Sequence, residues 1–121
     1  MDSGRILLLS DGSQIFTVLD RVFTAAGYRT LTASSRQGAV QALRRGNFHL
    51  VITRIEANRP EPLTMIKALR QQHPRVTAII LRGDHEVNSP IEAYQVQDEE
   101  ETFIPCGWPG LRRLVASCLS R

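Results

Sequence analysis

Five short apolar runs separated by amphipathic stretches constrain the fold of this chain more than any other feature of its sequence. The runs are Ile6 to Leu9, Tyr28 to Ala33, Leu50 to Thr53, Val76 to Leu81 and Thr102 to Pro105. They are rich in β-branched residues or leucine and too short for helices, so each is expected to be a strand. The first, third and fourth are almost wholly apolar, the pattern of strands covered on both faces.

Helical periodicity fills the intervals. Ile15, Val18, Leu19, Val22, Phe23 and Ala26 share one helical face, with Ser13 available as an N-cap and Gly27 as a stop. A second helix fits Ser35 to Arg45, where Ala39, Val40 and Leu43 form the stripe and Gly46 with Asn47 closes it. A third begins near Pro62, runs through Leu63, Ile66 and Leu69, and ends before Pro74. A last helix begins at Pro109 and buries Leu111, Leu114, Val115, Cys118 and Leu119. From Gly83 to Glu101 the chain is polar, and a short or distorted helix is expected from about Pro90 to Gln97. Strand and helix alternating five times implies a parallel sheet with right-handed crossovers and helices on both faces. With 121 residues, 42% of them hydrophobic, residues 1–121 are expected to form one domain.

Composition narrows the function. No run approaches the length of a membrane span, and no apolar stretch follows Met1 to Arg5, so a cytoplasmic protein is expected, with no membrane partner. Cys106 and Cys118 make no CxxC pair and are read as reduced thiols. The net charge is +3, but the basic residues are scattered in pairs such as Arg44 with Arg45 and Arg112 with Arg113, so direct nucleic-acid binding is not expected. His49, His73 and His85 stand far apart and suggest no shared metal site. GxGxxG, GxxxxGK[ST], HExxH and GxSxG motifs are all absent.

In an open parallel sheet the ligand site lies beyond the carboxyl ends of the strands. The residues there are Ser10 and Asp11 after the first strand, Arg54 after the third, Arg82 and Gly83 after the fourth, and Cys106 after the fifth. No nucleophile and base can be paired among them, so an enzyme is not expected.

These positions also carry a resemblance. Ile6-Leu7-Leu8-Leu9-Ser10-Asp11 is similar to the opening strand of response-regulator receiver domains, which ends in two acids. Phe48-His49-Leu50-Val51-Ile52-Thr53-Arg54-Ile55 resembles the strand that ends in their phospho-accepting aspartate, and Leu63 to Arg70 the helix that follows. Ala78-Ile79-Ile80-Leu81-Arg82-Gly83 resembles the strand that ends in Thr or Ser, and Phe103-Ile104-Pro105-Cys106 the one that carries a switch aromatic and then a Lys. The resemblance covers essentially the whole chain. It implies a single doubly wound (βα)5 flavodoxin-like sandwich with a five-stranded parallel sheet, from a bacterial two-component phosphorelay.

The functional set carried over is degenerate. Ser10 and Asp11 stand for the two metal-binding acids, Arg54 for the nucleophilic aspartate, Arg82 for the hydroxyl residue and Cys106 for the lysine. Only Asp11 and the aromatic Phe103 match. Guanidinium has no acceptor lone pair and cannot be acyl-phosphorylated. One carboxylate beside two arginines is a poor magnesium cage, so no metal or cofactor is expected. The reading that follows is a phosphorylation-independent pseudo-receiver, a protein-interaction or dimerisation module. Its alternatives are phosphorylation at a non-standard site, with Asp11 the pocket carboxylate, and an anion sensor built on Arg54 and Arg82. Asp11 and Arg54 are expected to form a bidentate ion pair. Cys106 is read either as an oxidant-sensing thiol or as a small residue filling the space of the lysine.

The resemblance also implies a partner face on the fourth helix, fifth strand and fifth helix. That face would carry Asp98-Glu99-Glu100-Glu101 beside Arg112, Arg113 and Arg121, charges suited to a two-fold contact between copies or to an output domain or kinase. Trp108, just before the last helix, is a candidate anchor there.

Overall fold

The structure, a computed structural model, describes residues 4–55, 61–82, 91–96 and 104–119. Four parallel strands and three helices alternate first: β1 (Arg5–Leu9), α1 (Ile15–Ala25), β2 (Arg29–Ala33), α2 (Arg36–Arg45), β3 (Leu50–Ile55), α3 (Glu61–Gln72) and β4 (Thr77–Arg82). Then come β5 (Glu92–Gln95), β6 (Ile104–Pro105) and α4 (Gly107–Leu119). The sheet order is β2-β1-β3-β4-β5-β6.

The α/β architecture and the parallel pairing of β1 to β4 follow the sequence pattern. Ile6, Leu8, Leu50, Ile52, Ile79 and Leu81 pack on one face against Ile15, Leu19 and Phe23 of α1 and Leu111 and Val115 of α4. Leu7, Leu9, Val51, Ala78 and Ile80 pack on the other against Ala39 and Leu43 of α2 and Ile66 and Leu69 of α3. Each fully buried aliphatic side chain contributes about 1.5–3 kcal/mol over leaving it in water, so the strands are held from both sides.

Local signals behave unevenly. Ser35 caps α2, its side chain accepting from the Gly38 N–H, and Gly27 ends α1 with a φ of 96° that suits only glycine. Ser13 does not cap α1: the N-cap is Gln14, without a side-chain bond, because the Ser13 hydroxyl is taken by Asp11. Val18 of α1 is exposed and Phe16 buried instead.

The larger departure lies after β4. The helix expected over Pro90 to Gln97 is absent from the described part, where Glu92–Gln95 forms a strand antiparallel to β4. The reason is visible in two-residue alternation. Ile91 and Ala93 join the α1 and α4 face, while Tyr94 and Val96 join the α2 and α3 face. In a helix these four would spread over more than half of the circumference, whereas a strand covered on both faces takes them in two pairs, one on each face. The sheet is therefore mixed, with six strands in place of five parallel ones. The last strand pairs with β5 and not with β4, through Glu92 with Pro105 and Ala93 with Ile104.

Candidate functional site

The carboxyl ends of β1 and β3 are tied together before any charged group is considered. Thr53, the one buried polar residue among the described core positions, donates its hydroxyl to the Leu9 carbonyl at 3.2 Å across the β1–β3 pair. One residue beyond each partner stand Ser10 and Arg54, and then Asp11. The loop after β1 turns at Gly12, whose φ is 89° and whose N–H donates to Ser10 Oγ at 3.0 Å.

Arg54 reaches across to Asp11, its Nε donating to Oδ2 at 3.2 Å. The other carboxylate oxygen, Oδ1, accepts from both the N–H and the hydroxyl of Ser13, at 2.9 and 2.5 Å. Because Ser13 occupies Oδ1, the two-pronged guanidinium fork expected from the sequence is replaced by a shared carboxylate. Partial burial pushes the Asp11 carboxyl up, but the Ser13 hydrogen bonds and the Arg54 guanidinium outweigh it and hold its pKa below the ordinary aspartate value. The Arg54 side chain is only 14% exposed, so its charge sits in a half-dry position beside that carboxylate.

Arg82 does not join them. In β3 and β4, Arg54 is in register with Leu81, and Arg82 with Ile55. Alternation then sends Arg54 to the α1 face and Arg82 to the α2 and α3 face. Arg82 stands directly opposite Glu92 of β5 and pairs with it through Nε at 3.4 Å and Nη2 at 2.9 Å. The two arginines proposed for an anion site thus leave opposite faces, each engaged by a carboxylate, and that expectation is corrected.

Cys106 is also displaced. It follows β6, which lies two strand steps beyond β4, about 9–10 Å, where the resemblance implied one step. Its thiol donates to the Ile91 carbonyl at 3.4 Å, and burial raises its pKa. A raised thiol is the reverse of what an oxidant sensor needs, which favours the space-filling reading. Phe103 and Gly83 lie outside the described residues.

The magnesium that receiver domains use does not fit this site. Among the described residues no three His, Cys, Asp or Glu side chains are gathered as a metal would need. Asp11, the one carboxylate at this site among the described residues, has both oxygens committed to Ser13 and Arg54. Sequence reasoning missed Ser13, Thr53 and Glu92. Thr53 carried a signal, as a hydroxyl closing an otherwise apolar strand; Glu92 carried none, because its partner depends on β5 being a strand.

No model of a known protein family matches the chain. It is similar to the DNA-binding transcriptional regulator NtrC of Klebsiella pneumoniae, at 27% identity over 95 residues, 78% of this chain and 20% of that protein. It is similar also to the alginate biosynthesis transcriptional regulatory protein AlgB of Pseudomonas aeruginosa, at 29% over 114 residues, 94% of this chain and 25% of that one. The AlgB protein of Pseudomonas putida matches at 26% over 118 residues, 98% of this chain and 26% of that one. The chain therefore spans about a fifth to a quarter of the length of the curated relatives it matches. A crystal structure of a response regulator from Thermotoga maritima superposes with a TM-score of 0.61 at 20% identity, covering 67% of each chain. The fold is that of a response regulator. The matched regions of NtrC and AlgB, 95 to 118 residues, are of one domain's length. No helix among the described residues is long and apolar enough to cross a membrane.

Proposed function

We propose that this chain is a receiver-like domain of bacterial two-component signalling that works without aspartyl phosphorylation, as a protein-interaction module and not as an enzyme. One observation carries the reading: the end of β3, where such a domain needs a carboxylate nucleophile, presents Arg54 already bonded to Asp11. The pair links the loop after β1 to the end of β3 with neither metal nor phosphate between them. A pair of this exposure supplies about 0–1 kcal/mol, enough to bias a two-state element several-fold toward one state. No cofactor is needed for that role, and a cytoplasmic setting suits it.

Partner recognition follows from the same reading. NtrC and AlgB are named as transcriptional regulators several times the length matched here, which favours an output protein or domain as the partner. The expected face of fourth helix, fifth strand and fifth helix becomes β5, β6 and α4, with Arg112 and Arg113 exposed on α4 and Trp108 half-buried at its start. A second copy is a candidate occupant of that face. Asp98 to Glu101 and Arg121 lie outside the described residues.

Incubation with acetyl phosphate and magnesium, read by intact mass, tests the proposal. No gain is expected. A stoichiometric gain of one phosphoryl group overturns it in favour of phosphorylation at another residue.

A further inference from the structure

The β2 edge of the sheet carries a second feature. Residues 21–55 hold six arginines and no aspartate or glutamate, and Asp20, the acid just before them, accepts from the Thr30 hydroxyl. Four of the six, Arg29, Arg36, Arg44 and Arg45, are exposed around β2 and α2. Among the described residues none of these four is paired with a carboxylate. Between α2 and β2 lies a groove of about 250 Å³ with Leu31, Ala42 and Phe48 as its apolar floor and Arg5, Gln41 and Arg45 at its rim. Leu31 is 48% exposed, one of two exposed large apolar residues among the described ones, and the Arg5 guanidinium stands 5.0 Å from the centre of the Phe48 ring.

β2 is also the edge strand of the sheet. The Arg29 N–H donates to the Gly4 carbonyl and the Ala33 carbonyl accepts from Ser10, so Arg29, Leu31 and Ala33 turn their backbone groups toward β1. Alternation then turns the N–H and C=O of Thr30 and Thr32 outward. A strand laid along this edge would satisfy four backbone groups and place alternate side chains over the Leu31 groove, under a rim of arginine.

We propose that the β2 edge and the α2 groove form a docking site for an acidic, extended protein segment that pairs with Thr30 and Thr32 and sets an apolar side chain on Leu31. Charge decides the occupant. A second copy offering its own β2 edge would bring the same arginines together, and like charges across an interface oppose it. Nucleic acid is favoured less: the exposed part of the floor is Leu31, and the one aromatic lining residue, Phe48, is buried beneath Arg5, so no exposed aromatic face is offered there for base stacking. This surface lies apart from Asp11 and Arg54 and does not depend on the proposed function.

The test uses the whole chain and a fluorescent peptide of about seven residues alternating glutamate and valine. Saturable binding is expected, weakening as salt rises, and an alternating lysine and valine peptide should not bind. Arg45→Glu should weaken binding by about tenfold or more and Leu31→Ser by about threefold, while Arg75→Glu, at an exposed position just before β4, leaves it unchanged. Saturating peptide should slow amide exchange at Thr30 and Thr32 selectively. Absence of saturation up to about 1 mM peptide overturns the proposal, as does equal weakening by Arg45→Glu and Arg75→Glu. Tighter binding of a single-stranded oligonucleotide, insensitive to Leu31→Ser, overturns it in favour of nucleic acid.

Discussion

Arg82 and Glu92 face each other directly across the antiparallel β4–β5 pair, with their charged groups 2.9 Å apart. The contact joins the two strands at the register their backbones set, with Arg82 on the face that strand alternation gives it, opposite to that of Arg54. Both side chains are partly open to water, so a double-mutant cycle with Arg82→Ala and Glu92→Ala should give a coupling of about 0.2–1 kcal/mol, shrinking in high salt. Zero coupling at low salt would mean that residue 92 is not opposite residue 82.

Burial along β5 gives a sharper test of the strand. Tyr94 is 4% exposed, whereas its neighbour Gln95 is only half-buried. Tyr94→Ala should cost about 3–5 kcal/mol in urea unfolding, with Gln95→Ala within about 0.5 kcal/mol of the parent. Similar costs for the two would argue against the alternation.

The contrast between these two regions explains what the sequence disclosed. From Ile6 to Leu81 each apolar run was followed by a clear helical stripe, so local periodicity and global topology agreed. After β4 the topology expected a helix, while Ile91, Ala93, Tyr94 and Val96 held a two-residue alternation that the parallel scheme overrode. The site followed the same division. Asp11 and Arg54 sit on strands placed by clear periodicity, and the sequence brought them together. Arg82 and Cys106 flank the inserted β5, and their positions turned on a long-range antiparallel pairing that no local signal announced. Ser13 was legible only as a cap, because a side chain's choice between the backbone of its own helix and a nearby carboxylate depends on how the loop at Gly12 turns.

Cys106 bears on redox chemistry. Burial raises its pKa and its hydrogen is engaged by the Ile91 carbonyl, so little thiolate exists near neutral pH. In the Cys118→Ser variant, which isolates this thiol, reaction with a disulfide reagent at pH 8 should be slower than that of free cysteine by about tenfold or more. Faster reaction would restore the sensor reading.

Arg54→Asp examines the charge of the pocket. The substitution sets a second carboxylate opposite Asp11, and two such groups repel unless a cation joins them. Magnesium should therefore raise the melting temperature of the variant by at least about 2 °C and leave the parent unmoved. Equal response of the two proteins would show that Arg54 does not govern cation binding.

The Asp11 carboxyl sets a pH dependence whose sign is fixed by its lowered pKa. A depressed folded-state value means that the folded chain binds this proton less readily than the unfolded chain does. The stabilisation is complete above the unfolded value, about 3.9, and is lost as pH falls through the folded one. Asp11→Asn keeps an oxygen for Ser13 but removes the charge that Arg54 meets. The parent should exceed the variant in stability by about 0–1 kcal/mol at pH 6, the group being exposed, and the difference should close as pH falls through the folded-state value. Chemical unfolding of both proteins across that range reads it directly, and a difference that widens toward acid would show that the charge of Asp11 opposes the fold.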